Sequence, residues 1–155
     1  MSDPHYVVLI GDVGTGKSTI VEKLCGVQNR SSNSSVSFTK ESVLFRTPDH
    51  RLIISDTPGT NAMRDKLSQN TQVAVALNYA PVSRILIVVK ADTRIDNVVD
   101  DVRKYAEQLG DLDISVIGVL VTHMDTVKWD RGNFIRSLDA ELGINAAVFS
   151  GITLI

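Results

Sequence analysis

The run GDVGTGKST, Gly11 to Thr19, follows directly on the apolar stretch YVVLI. Glycine weakens strands and helices alike, and a lysine at the edge of a core is unfavourable unless it serves something there. Three glycines, a lysine and several hydroxyls at that junction serve no packing purpose. The stretch before them, HYVVLIG, reads as a buried strand of β-branched residues. The stretch after them, KSTIVEKLCG, reads as a helix with Ile20, Val21 and Leu24 on one face and Gly26 at its end. A strand, a glycine-rich turn and a helix in that order make a strong constraint on fold.

Gly11, Gly16, Lys17 and Ser18 satisfy the pattern GxxxxGK[ST] in that context. Such a turn can wrap its backbone N–H groups around an anion, and the helix N-terminus adds partial positive charge. The cradle is expected to run through Asp12, Val13, Gly14, Thr15, Gly16, Lys17, Ser18 and Thr19. Lys17 would reach the β- and γ-phosphates of a nucleotide, and Ser18 would ligate Mg²⁺.

The rest of the chain extends the alternation. QNRSSNSSVS is a polar loop, and ESVLFRTPDHRLIISD is an antiparallel strand pair turning at Pro48-Asp49. A helix of poor period is expected from Thr60 to Tyr79, ended by Pro81. RILIVVKA is a strand. Ile95, Val98, Val99, Val102, Ala106 and Leu109 follow helical spacing up to Gly110. ISVIGVLVT is apolar on both faces, as in a covered parallel sheet. Asp130 can cap a helix burying Phe134, Ile135, Leu138 and Leu142 and ending at Gly143, and AAVFS is expected as the last strand. Strands alternating with helices predict one three-layer α/β domain over residues 1–155, with a mostly parallel sheet and one antiparallel strand.

At 155 residues the chain suits one domain with a real core. A net charge of −2 supplies no basic field, so nucleic acid is not an expected partner. A single cysteine, Cys25, fits a reducing compartment. The start MSDPHYVV does not read as a signal peptide, and no apolar run is long enough to span a membrane. A cytoplasmic domain is expected.

Two further motifs bear on chemistry. In LIISDTPGT, Asp56 ends an apolar strand, where a carboxylate can hold Mg²⁺, and Gly59 could offer its N–H to a γ-phosphate. In VLVTHMD, Asp125 follows a buried strand, at the edge where ligands bind in such sheets. A carboxylate there can accept both N–H groups on one edge of guanine, a pair that adenine lacks; an aspartate merely opening a loop is equally compatible. Asp96, Asp100 and Asp101 read as a solvated helix start, His5 and His50 show no ligand spacing, and Trp129 reads as an anchor beside the nucleotide-edge loop.

Together, GDVGTGKS, SDTPGT and VTHMD resemble the signature of P-loop GTPases of the Ras-like superfamily. SSVSFTKES, SDTPGT and VVKADTRID narrow the resemblance to the immunity-associated and avirulence-induced GTPases, relatives of septins and of the chloroplast import receptor GTPases. The resemblance implies that Thr39 is the switch threonine that joins Mg²⁺ with Ser18 and Asp56, an ordinary strand-edge threonine being the other reading. It implies that Lys17, Thr39 and Thr60 form the catalytic set, and that Asp125 specifies guanine. Ser150 and Gly151 match the short base-contacting loop after the last strand, although an ordinary turn fits as well. Three departures stand out: His123 replaces the usual lysine of the guanine motif, Thr60 stands where many Ras-like enzymes place a water-orienting glutamine, and GITLI comes before the usual final helix. The expected protein is a slow GTPase switch using Mg²⁺ and capable of a GTP-dependent homodimer, with Arg94 or Arg64 as candidates for a group supplied in trans. A catalytically weak assembly module and an ATPase are the alternatives.

Overall fold

The central strands carry alternate residues into two separate apolar layers, which explains why they read as unbroken hydrophobic runs. In β1 (His5–Ile10), Tyr6, Val8 and Ile10 enter one layer, while Val7 and Leu9 enter the other. The computed structural model describes residues 2–26, 43–59, 66–110, 116–129, 131–142 and 151–154. Its elements run β1, α1 (Lys17–Cys25), β2 (Val43–Arg46), β3 (Leu52–Asp56), α2 (Lys66–Tyr79), β4 (Arg84–Lys90), α3 (Ile95–Leu109), β5 (Ile117–Thr122), a 3-10 turn (Met124–Thr126), α4 (Arg131–Leu142) and β6 (Gly151–Leu154).

The sheet has six strands in the order β2-β3-β1-β4-β5-β6. Among the described strands only the β2–β3 pair is antiparallel. This is the Ras-like three-layer arrangement that the sequence predicts. One layer packs β1, β4 and β5 against α3 and Phe134 of α4. The other packs Val7, Leu9, Ile54 and Val88 against Val21 of α1. Register sets the site: Leu9 lies opposite Asp56 and Lys90 opposite Thr122. The ends of β1, β3, β4 and β5 therefore meet on one carboxyl edge.

Local signals explain the element ends. Gly26 closes α1 in a left-handed conformation, its N–H bonded to Glu22 O. The turn between β2 and β3 is fixed by Asp49, whose Oδ1 accepts from Thr47 Oγ1 at 2.6 Å and from Arg51 N at 3.1 Å. α3 buries Val98, Val99, Val102, Tyr105 and Leu109 and ends at Gly110. Trp129 stacks on Phe134 at 5.4 Å, and its Nε1 donates to Asp92 O, so it does anchor the segment after β5.

Three expectations change or fall outside what is described. Leu24, expected on the buried face of α1, sits in the last turn before Gly26 redirects the chain and stays about half exposed, at 48%. A strand is described at Gly151–Leu154; AAVFS, expected as the last strand, lies outside the described residues. The polar loop before β2, residues 60–65, Asp130, Gly143 and residues 146–150 lie outside the described residues, as do the side chains of Leu138 and Leu142.

Phe134→Ala should cost about 3–5 kcal/mol in denaturant unfolding, since it empties a fully buried site and removes the Trp129 stack. Leu24→Ala should cost less than about 1 kcal/mol. Equal losses would mean that the two residues do not differ in burial as described.

Candidate functional site

The segment from Gly11 to Gly16 leaves β1 at the carboxyl edge and feeds α1. A Cβ on Gly11 would lie 2.3 Å from Val88 O, so only glycine lets the chain pass β4 this closely. Gly16 caps α1 with φ 95°, and the first turn of this helix holds no acidic residue, which leaves its positive end available to an anion. Lys17 is nearly buried. Its Nζ donates to Gly11 O and Asp12 O, both at 2.9 Å, so the ammonium spans its own loop. Thr15 Oγ1 donates to the same Asp12 carbonyl at 3.0 Å. Burial pushes the Lys17 ammonium down to about 8, while Asp56 and Asp12 oppose that shift. A buried cation whose hydrogen bonds, among the described residues, go to two carbonyl oxygens is poised for a stronger anionic partner.

Ser18 Oγ donates to Asp56 Oδ2 at 2.9 Å. Asp56 is fully buried at the end of β3. A hydroxyl and a carboxylate beside a phosphate loop are hard oxygen donors, and this donor set fits Mg²⁺. Thr57, also fully buried, donates to Leu9 O at 2.6 Å and ties the end of β3 to β1. Gly59 lies against the loop itself: a Cβ there would fall 2.6 Å from Val13 N and Cγ2. No side chain fits between these two segments.

On the other side, Thr122 ends β5. Its Oγ1 lies 2.7 Å from Thr15 O, 3.3 Å from Val89 O and 2.9 Å from His123 Nδ1. The hydroxyl has one proton and the carbonyls can only accept, so the proton goes to a carbonyl and the imidazole donates from Nδ1. His123 adopts a left-handed backbone, φ 58°, and its Cε1 lies 4.0 Å from where a Gly16 Cβ would stand. The residue replacing the usual lysine thus stands beside the phosphate loop. Asp125 sits in the 3-10 turn that follows, exposed at the same edge.

The structure brings together Asp12, Val13, Gly14, Thr15, Gly16, Lys17, Ser18, Asp56, Gly59 and His123, with Thr19 one residue further into α1. Thr39, Thr60, Arg64 and Ser150 lie outside the described residues. Gly151 is a correction. It opens β6 opposite Gly118, near the amino end of β5, so it is not in a loop after the last strand. Asp12 lies in the loop by its backbone, and its carboxylate is bonded to Lys104 on α3. Sequence reasoning missed Thr57 and Thr122. Their one signal is a threonine at the end of an apolar strand. Among the described residues no His, Cys, Asp and Glu cluster forms a separate metal site.

Two substitutions probe this geometry. In the ligand-free chain burial disfavours the charged form of Lys17, so its ammonium gives up its proton more readily than in the unfolded chain. Between about 8 and its ordinary value of 10.5 the unfolded chain binds more protons, so stability rises with pH across that window. Lys17→Met should flatten that rise and stabilise the ligand-free chain at pH 7 by about 1–3 kcal/mol, while abolishing triphosphate binding. Unchanged stability, read from urea unfolding across pH, would show that the ammonium is not strained by burial. Gly59→Ala must push Val13 aside and should weaken triphosphate binding by about tenfold or more; titration with wild-type affinity would contradict the close contact.

Residues 6–121 match the family described as 50S ribosome-binding GTPase. GTPase Era from Mycobacterium avium is 27% identical over 132 residues, covering 81% of this chain and 42% of that protein. The chain thus spans less than half the length of this relative. Among solved structures, Toc33 from Arabidopsis thaliana, in a dimerization-deficient mutant, aligns over 98% of this chain and 70% of its own with TM-score 0.69 and 18% identity. Era bound to MgGDPNP and a segment of 16S ribosomal RNA aligns over 100% of this chain and 51% of its own with TM-score 0.69 and 21% identity. The structural likenesses show the fold, and the match over residues 6–121 shows the family: the chain belongs to the P-loop GTPases.

Proposed function

We propose that this domain binds GTP and GDP together with Mg²⁺ and hydrolyses GTP slowly as a switch. The observation that carries the reading is the meeting, on one sheet edge, of the Lys17-spanned loop with the Ser18–Asp56 pair. Lys17 would exchange its loop carbonyls for β- and γ-phosphate oxygens, regaining a charged partner in a dry site. Ser18 and Asp56, with Thr39, would hold Mg²⁺, which supplies charge neutralisation between the phosphates. Asp125, exposed beside the loop, would accept from guanine, and His123 would stack along the base. The Era structure with MgGDPNP supports the metal–nucleotide pairing by likeness of fold and family.

Turnover is expected to be low. Thr60 is too short to orient water as a glutamine does, and intrinsic rates of such domains are about 10⁻⁴ to 10⁻² s⁻¹. The second reading, a module that pairs when GTP is bound, gains support from the dimerization-deficient Toc33 structure, in keeping with the immunity-associated branch. Arg94, exposed at the start of α3, is the described candidate for an arginine supplied in trans. An ATPase is disfavoured by Asp125. The ribosomal RNA in the Era structure is that protein's partner; the net charge of −2 argues against such a partner for this domain. A reducing, cytoplasmic setting remains the proposed location. Among the described residues no helix is long and apolar enough to cross a membrane.

Asp125→Asn tests the base assignment. It should weaken GTP by about 2–4 kcal/mol through loss of a charge-assisted hydrogen-bond pair, and should shift preference towards xanthosine triphosphate. An unchanged guanine-to-xanthine ratio in competition binding would remove Asp125 from the base site. Turnover per chain should rise with protein concentration if a second copy completes the site; a rate that is high and flat would place the full catalytic set within one chain.

A further inference from the structure

Asp12 is the only acidic residue between Gly11 and Gly16. A carboxylate in the second position of an anion-binding loop opposes the loop's own task, so its placement needs a reason. The side chain is bonded across 92 residues to α3. Its Oδ1 accepts from Lys104 Nζ at 2.9 Å and also from the Tyr105 hydroxyl. Tyr105 is 1% exposed and rooted in the apolar layer under β1 and β4. Lys104 is partly exposed, and its Nζ lies 5.1 Å from the Tyr105 ring centroid.

The backbone of the same residue holds the other half of the loop. The Asp12 carbonyl accepts from Lys17 Nζ and from Thr15 Oγ1. One residue therefore joins the core of α3 to the cation of the phosphate cradle. Lys104 also faces a second carboxylate, that of half-buried Asp101. Burial first, and then the charge of Asp12, raise the Asp101 carboxyl, and Lys104 counters them.

We infer that Lys104 and Tyr105 are positioning residues for the phosphate loop: through the Asp12 carboxylate they fix the loop's first turn, and Lys104 cancels the negative charge that Asp12 sets beside a bound triphosphate. The inference rests on reading the loop as a GTP site. Its two parts differ in what they predict. The Tyr105 hydroxyl contributes geometry, so its loss loosens the loop for every ligand alike. The Lys104 ammonium contributes charge, so its loss penalises a triphosphate more than a diphosphate, and more at low ionic strength.

The test uses the full chain. Hydrogen exchange on the ligand-free protein should show amides at 11–16 exchanging at least about fivefold faster in Tyr105→Phe, with β4 and β5 unchanged. Titration with fluorescent GDP and a fluorescent non-hydrolysable GTP analogue should show Lys104→Met losing about threefold or more additional affinity for the triphosphate. Lys104→Arg should restore binding, and adding Asp12→Asn to Lys104→Met should recover the triphosphate penalty. Unchanged loop exchange in Tyr105→Phe, or equal losses of both nucleotides in Lys104→Met, would overturn the inference. A wild-type chain that binds neither guanine nucleotide would overturn the GTP reading, while the exchange comparison, made without ligand, would still decide the clamp.

Discussion

The ammonium of Lys17, buried at the first turn of α1 and held by the carbonyls of Gly11 and Asp12, is the interaction around which this structure is organised. Burial disfavours the charged form, and carbonyl oxygens offset only part of the lost hydration. The surrounding features make sense as consequences. Gly11 passes β4 where no Cβ fits, so the loop can curl back within reach of Nζ. Asp56 and Asp12 oppose the shift imposed by burial. The chain thus carries a strained cation whose strain an anionic ligand would relieve, and binding energy can come from that relief as well as from new contacts.

Strand register turns this local arrangement into a site. With Leu9 opposite Asp56 and Lys90 opposite Thr122, a carboxylate, a hydroxyl and the His123–Asp125 turn arrive at the edge where the loop begins. Two threonines lock the strands there: Thr57 on Leu9 O and Thr122 on Thr15 O. Neither needs to touch a ligand. They hold the pieces that would, and a preorganised cradle does not have to reorder when charge arrives.

Much of this was legible in the sequence because the relevant signals are local. The glycine spacing, the apolar runs and the stops at Gly26 and Gly110 each act within a few residues. What stayed hidden depends on contacts distant in sequence. Nothing around Asp12 announces Lys104 and Tyr105, which meet it only after α3 packs on the sheet. Tyr105 lies on the buried stripe with Val98, Val102 and Leu109, where the expected face has Ala106 in its stead. Gly151 reads in the sequence as a loop residue, yet it opens β6 and pairs with Gly118 of β5.

The ligand proposed for this edge is a magnesium–guanine nucleotide. Calorimetric titration of the full chain with GDP, GTP and ATP, each with Mg²⁺ and with a chelator, measures it directly. Both guanine nucleotides should bind more tightly than ATP by about 100-fold, about 2.7 kcal/mol, and chelation should weaken GTP most. Equal affinity for ATP, or GTP binding indifferent to Mg²⁺, would contradict it.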